Sequence, residues 1–387
     1  MEIKLRLSNE TIKIKLMGII RLLLALSVIL SHAYSLYKIN LLGGSLAVQA
    51  FFIISGFYMS LILNEKYISQ EGSYKLFITN RFMRIYPIYL TVFIISILFY
   101  TYSFLFPHNN PSNLSMSENP VEMYMAHYSD INPLTFLFLF ITNVFVFFQD
   151  VIMFLSFDSS GNVFFTSNFR LTELPLYKFL FIPQAWSISI ECMFYLIAPF
   201  LLRKSIKFII SIIAITFLIR FITYYVWFSN DPWSYRFFPF ELGYFLLGNL
   251  SYVGYKKIKS ISLNPKYLWG CFLFILFITI VYPLIKFNGS PYFYCIAFAF
   301  CLPFVFFLTK QWKIDSYLGD LSYPIYLVHL LVLSVMEYLT GSIDKIYICV
   351  IYIISVFVFS VLLNELISKR IEKIRQKRFI AFKEGTR

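Results

Sequence analysis

Two ionisable residues stand inside the first apolar stretch, in RLLLALSVILSHAY: Arg21 and His32. Both types are costly in lipid, so each is a functional candidate by default. Eleven residues make almost three helical turns, which puts the pair on one face, roughly 16 Å apart along the axis. A tunnel that takes an anionic group at its inner mouth and delivers chemistry further out needs this arrangement. The bland alternative is a snorkelling arginine and a packed histidine.

Four more segments carry polar residues where apolar ones are expected. In RFMRIYP, Arg81 and Arg84 share a helical face three residues apart, at the expected start of a span. Two guanidiniums at a helix N-terminus make a phosphate site through bidentate bonds and the helix dipole; basic membrane-flanking residues look the same. In AWSISIECMFY, Glu191 lies at a depth comparable to His32. A carboxylate bonded to an imidazole fixes its tautomer and stabilises the imidazolium; the alternative is an ion pair with Arg220 or Arg236. Glu241 in FFPFELGYFLLG carries the same ambiguity. Ser322, Tyr326 and His329 in LGDLSYPIYLVHLLV fall on one face at i, i+4 and i+7, lining a tunnel or tying helices together, with Pro324 a candidate kink. Ser55 and Gly56 in FFIISGF read first as packing, because glycine permits close helix approach or a local break. Ser55 is kept as a lining candidate.

Composition supplies the frame. Of 387 residues, 59% are hydrophobic and 14% charged, against roughly a quarter charged in soluble domains. One large soluble domain is excluded, and so is disorder, which needs low hydrophobicity and high charge. The expected fold is all-α and polytopic. Spans of about 20 apolar residues fall at 16–37, 43–64, 85–107, 184–202, 208–228, 238–255, 267–285, 291–309, 317–340 and 346–368. The charged start before the first resembles a signal peptide, but the stretch is too long, contains Arg21 and has no small-residue cleavage site, so it is expected to stay as a helix. Residues 134–157 are long enough to cross, yet a crossing would invert every later loop, and Asn143, Gln149 and Asp150 are awkward in lipid. A re-entrant or interfacial hairpin is expected, its backbone covered by protein.

The net charge of +13 would suggest nucleic acid in a soluble protein. Here most basic residues sort to one side of the membrane, while loop 108–133 on the other side has none. By the positive-inside rule both termini are cytoplasmic. The expected organisation is a cytoplasmic segment 1–15, a membrane domain 16–368 and a basic cytoplasmic tail 369–387. Five cysteines without CxxC spacing read as reduced membrane thiols, with no metal site. Tyr34, Tyr37, Trp186, Trp233 and Tyr235 near outer span ends either stack on sugar faces or form an aromatic belt.

In their order, RLLLALSVILSH, FFIISGF, RFMRIYP, WSISIECMFY and LGDLSYPIYLVH resemble the acyltransferase-3 family of integral membrane acyltransferases, over about Arg21 to Glu365. The resemblance implies a catalytic pair, His32 as general base with Glu191 orienting it, and a donor-binding Arg21, Arg81 and Arg84. The family often places an acid just after the first-helix arginine; here Leu22 follows. Some members add a C-terminal SGNH hydrolase-like domain, so this chain is expected to act as a stand-alone transferase. The implied reaction moves an acetyl group from cytoplasmic acetyl-CoA to a hydroxyl of a cell-surface or lipid-linked glycan, in a bacterial inner membrane. Acetyl-CoA is then a substrate, and no cofactor is permanently bound. Two other classes stay open. A transporter would use Arg21, His32 and Glu191 as a proton relay and show internal repeats, which are not evident. A non-catalytic scaffold would need none of these residues.

Overall fold

The computed structural model describes residues 17–33, 41–67, 73–107, 119–158, 161–285, 287–341 and 345–385. The 1–15 segment, Tyr34 and Tyr37 lie outside them. Helices α1 (Gly18–His32), α2 (Gly44–Glu65) and α3 (Ser73–Leu105) open the bundle. Short helices α4 (Pro120–Ala126), α5 (Pro133–Phe145) and α6 (Gln149–Ile152) follow, then three brief strands. The remainder is α7 (Trp186–Leu201), α8 (Ile206–Ile222), α9 (Phe238–Ile258), α10 (Pro265–Val281), α11 (Ser290–Thr309), α12 (Lys313–Thr340), α13 (Ile346–Leu363) and α14 (Lys369–Gly385). The molecule is an all-α polytopic membrane protein. Among the described residues, eight helices are long and apolar enough to cross a membrane.

The difference from ten expected spans has a physical basis. At 15 residues, α1 is about 22 Å long, short of a hydrocarbon core of about 30 Å. Helix α9 is long enough but is interrupted by Glu241, Asn249, Ser251, Lys256 and Lys257. Both are nonetheless central, because they make the tightest packing. A Cβ on Gly18 would stand 1.7 Å from the Asp315 carbonyl oxygen of α12, and one on Gly56 1.8 Å from the Phe245 carbonyl oxygen of α9. The SGF glycine is therefore a close-approach device, and α2 stays helical through it.

Residues 134–157 do not form one helix. Helix α5 ends after 13 residues, Val146 and Phe148 take positive φ angles of 68° and 66°, and Leu155–Phe157 is a strand. It is the centre of a three-stranded sheet, between Val163–Phe165 and Leu174–Pro175. The polar side chains that are awkward in lipid find protein partners. Asn143 donates to the carbonyls of Leu139 and Phe179 and accepts from Phe181 N. Gln149 donates to Tyr89 and to the Thr142 carbonyl, and Ser189 donates to Asp150 at 2.7 Å.

Two boundaries move. Helix α3 begins at Ser73 rather than near 85, so Arg81 and Arg84 sit in its third and fourth turns. Their backbone N–H groups are spent within the helix, and only side chains can bind an anion there. The 369–387 tail is a helix over Lys369–Gly385 that packs on α3, where its Arg378 donates to Thr79 Oγ1, and its Phe379 finds a ring partner in Tyr67, after α2, at 5.5 Å between centroids. No disulfide links any two of the five cysteines.

Candidate active site

Helices α1, α2, α3, α7 and α12 enclose a cavity of about 110 Å³. Six of the sequence candidates line it: Arg21, Ser55, Arg84, Glu191, Ser322 and Tyr326. Tyr58, Ser187, Tyr195 and Tyr323 complete its polar wall. The parallel pairing of α1 with α12 sets the register: Gly18 abuts Asp315 at one end, and the His32 ring meets the His329 ring at the other. Asp315 also accepts from Ile19 N at 2.8 Å, giving the first turn of α1 a carboxylate that its own sequence lacks.

At the Arg21 end, guanidiniums gather with acids nearby but none bonded to them. Among the described residues Arg21, Arg81 and Arg84 form no ion pair. Arg21 Nε and Arg81 Nε and Nη1 are buried with no hydrogen-bond partner. Arg84 lies within electrostatic reach of Asp320, Glu372 and Glu191, and Arg21 within reach of Asp320 and Glu191. Arg81 is not part of the cavity lining, and its guanidinium lies 5.9 Å from the Phe77 ring.

In mid-cavity, the Glu191 carboxylate accepts from Ser55 Oγ at 2.6 Å and from the Tyr195 hydroxyl at 2.5 Å, both on Oε1. No hydrogen bond joins it to His32. His32 is the last residue of α1, and Glu191 stands five residues into α7. The expected carboxylate–imidazole bond is replaced by a carboxylate–hydroxyl cluster. Ser322 turns back to its own helix, donating to the Gly319 carbonyl. Tyr326 donates to the Gln184 carbonyl and meets Ser187 Oγ at 2.6 Å.

The partner of His32 is another histidine. The His32 and His329 rings lie 5.2 Å apart and tilted by 41°, and the His329 and Tyr326 rings 5.7 Å apart. A ring-to-ring path thus joins the cavity to His32. His329 Nδ1 is 2.6 Å from the Tyr326 carbonyl. A carbonyl only accepts, so Nδ1 carries the proton and, in the neutral ring, Nε2 presents a lone pair. His329 Nε2 and His32 Nδ1 are both buried without a partner.

Glu241 belongs elsewhere. It is fully buried, 2.8 Å from Arg220 and 3.4 Å from Gln49, outside the cavity lining. A carboxylate so enclosed needs a counter-charge, and Arg220 also reaches the Ser234 carbonyl. Arg236 is held by Asp231 at 2.6 Å and lies over the Trp186 ring at 4.6 Å, within electrostatic reach of His32. Neither arginine pairs with Glu191. Trp186 packs edge-on to Tyr235 at 5.4 Å, and Trp233 packs against Phe154 and Phe228, so these rings partner one another within the protein.

Sequence reasoning missed Tyr195, Ser187 and Asp315. For the first two a signal existed: Ser187, Glu191 and Tyr195 recur every four residues in WSISIECMFY, one polar face of a helix.

A family model described as an acyltransferase domain matches residues 16–365. The chain belongs to the acyltransferase-3 family. The match begins just before Arg21 and ends just after α13, so it contains the whole cavity and both histidines. As a member of that family the chain is a membrane acyltransferase, which sets aside the transporter and scaffold alternatives. No curated protein and no solved structure matches it.

Proposed function

We propose that this acyltransferase moves an acetyl group from acetyl-CoA to a hydroxyl of a cell-surface or lipid-linked glycan. The donor enters from the cytoplasmic side of a bacterial inner membrane, with the Arg21 end facing inward. The observation that carries this reading is a cavity lined by Arg21 and Arg84, which form no ion pair among the described residues, and by Tyr326, whose ring leads on to the His329–His32 pair.

The chemistry follows from the layout. Arg21, Arg81 and Arg84 hold the phosphates of the donor through charge-assisted bonds. A cavity of about 110 Å³ is far below the roughly 300–1,000 Å³ of sites that engulf a whole ligand, so it suits only the thioester end of the uncharged pantetheine arm. Val48, Phe51, Met59 and Ile188 give that arm an apolar wall. The thioester then lies toward Tyr326 and His32. His32 takes the proton of the acceptor hydroxyl as that oxygen attacks the thioester carbonyl, and the CoA thiolate leaves. His329 Nε2 is the acceptor beside it for stabilising the imidazolium. Glu191 keeps the Ser55 and Tyr195 hydroxyls fixed in the tunnel wall.

Binding separates the two ends. In nanodiscs, Arg81→Ala with Arg84→Ala is expected to abolish measurable acetyl-CoA binding, whereas His32→Ala retains it. Full affinity in the double variant would make the arginines topology determinants and sink the donor assignment.

A further inference from the structure

A cluster of cations continues beyond the cavity, where α14 crosses α3. Arg375 on α14 is 8% exposed, and its Nε is buried without a hydrogen-bond partner. Its Nη1 donates to Glu372, one turn earlier, at 2.6 Å. Arg81 is 3% exposed with two unpartnered nitrogens. Arg375 lies within electrostatic reach of both Arg81 and Arg84. The acid they share is Glu372, whose side chain is half-exposed.

Three guanidiniums crowded together repel one another; Asp320 and Glu191 face Arg84, which leaves the half-exposed Glu372 as the one carboxylate within reach of both Arg81 and Arg375. Packing holds them together. Phe379 of α14 sits against Tyr67 and 4.3 Å under the Lys66 ammonium, and Arg378 donates to Thr79 Oγ1 at 3.2 Å. The crowding is therefore built into the fold and is not a solvated charge run. Convergent guanidiniums with spare N–H groups suit a ligand carrying several phosphates.

We propose that α14 completes the donor site. Arg375 and Arg81 hold the phosphate farthest from the thioester, the ribose 3′-phosphate of an acyl-CoA, while Arg84 and Arg21 hold the pyrophosphate. This assignment rests on the acetyl-CoA reading above. The order follows from position: Arg21 and Arg84 line the cavity, and Arg81 and Arg375 do not. An arm threaded into the cavity leaves the nucleotide end over α14. Glu372 occupies Arg375 Nη1 until the phosphate replaces it. The phosphate of an anionic lipid headgroup offers the same chemistry, so the test must separate the two sources.

The full chain in phosphatidylcholine nanodiscs is titrated calorimetrically with acetyl-CoA and with 3′-dephospho-acetyl-CoA. The unmodified protein is expected to prefer acetyl-CoA about tenfold, the worth of a charge-assisted contact. Arg375→Gln should weaken acetyl-CoA by about that factor and leave the dephospho ligand unchanged, erasing the preference. Equal weakening of both ligands would make Arg375 structural, and no weakening would make it idle; either overturns the proposal. Should Arg375→Gln fail to fold, Arg375→Lys keeps the charge without the fork and should lose affinity for acetyl-CoA alone. Phosphatidylglycerol retained by the unmodified protein and lost by Arg375→Gln, with acetyl-CoA affinity unchanged, would assign a lipid site and overturn it too. Failure of the unmodified protein to bind either CoA ligand strikes the donor reading itself, a result distinct from all of these.

Discussion

A histidine whose Nδ1 is committed to a carbonyl has one nitrogen left for chemistry. His329 is in that state, fully buried beside His32. Replacing it with Phe keeps a ring in place and removes both nitrogens. Turnover is expected to fall by about two orders of magnitude, with acetyl-CoA affinity unchanged; turnover at the original rate would reduce His329 to packing. Glu191 is expected to behave differently. Glu191→Gln keeps an oxygen that accepts from Ser55 and Tyr195, whereas Glu191→Ala leaves two hydroxyls unpaired at about 1–3 kcal/mol. Thermal unfolding should separate the two variants, and equal destabilisation would mean the charge matters more than the bonds. At this scale much was legible in the sequence. Arg21, His32, Ser55, Arg84, Glu191, Ser322 and Tyr326 stand out because polar groups in apolar runs are costly. Their partners were not legible, since pairing is decided across helices: Glu241 meets Arg220, and His32 meets a histidine 297 positions away.

Helices place those residues through contacts that hydropathy does not encode. The apolar spans were legible as runs, but the start of α3 was not. Residues 73–84 mix charged and apolar side chains and still continue the helix, because α14 packs on them. The break at 146–148 was foreshadowed by Asn143, Gln149 and Asp150, whereas the small sheet that follows left no clear trace in three-residue strands. Gly56→Leu would drive a side chain into the Phe245 carbonyl 1.8 Å from its Cβ and separate α2 from α9. The expected outcome is loss of the folded, detergent-stable protein in a thermal assay; a normal melting profile would contradict the tight crossing. In the loop before α9, burial disfavours the Asp231 carboxylate, yet the Arg236 charge and the bonds from Arg236, Arg170 and Tyr235 outweigh it and hold its pKa below the usual carboxylate value. A depressed pKa stabilises above the unfolded value near 4 and is lost as pH falls through the folded one. Tryptophan fluorescence at Trp186, stacked on Arg236, should therefore stay constant from neutral pH to about 4 and change below it. Asp231→Asn should abolish that step.

Across the whole molecule, the +13 charge divides into two kinds. Most of it flanks spans, as the positive-inside rule requires of a cytoplasmic face. A smaller part, on Arg21, Arg81, Arg84 and Arg375, is drawn together inside the protein, where among the described residues only Arg375 forms an ion pair, with Glu372. Orientation follows from the first kind: Ser260→Cys in the basic loop after α9 should label only from the cytoplasm, and Ser129→Cys after α4 only from outside. Reversed labelling would invert the donor side. Function follows from the second kind joined to the histidines, and His32 is the residue on which both halves of the account meet. The most direct measurement supplies membranes holding the unmodified protein or His32→Ala with acetyl-CoA labelled in the acetyl group, and counts label on the surface glycan. The account predicts O-acetyl label with the unmodified protein and none with His32→Ala, although the variant still binds acetyl-CoA. Equal labelling of the glycan by both proteins would contradict it.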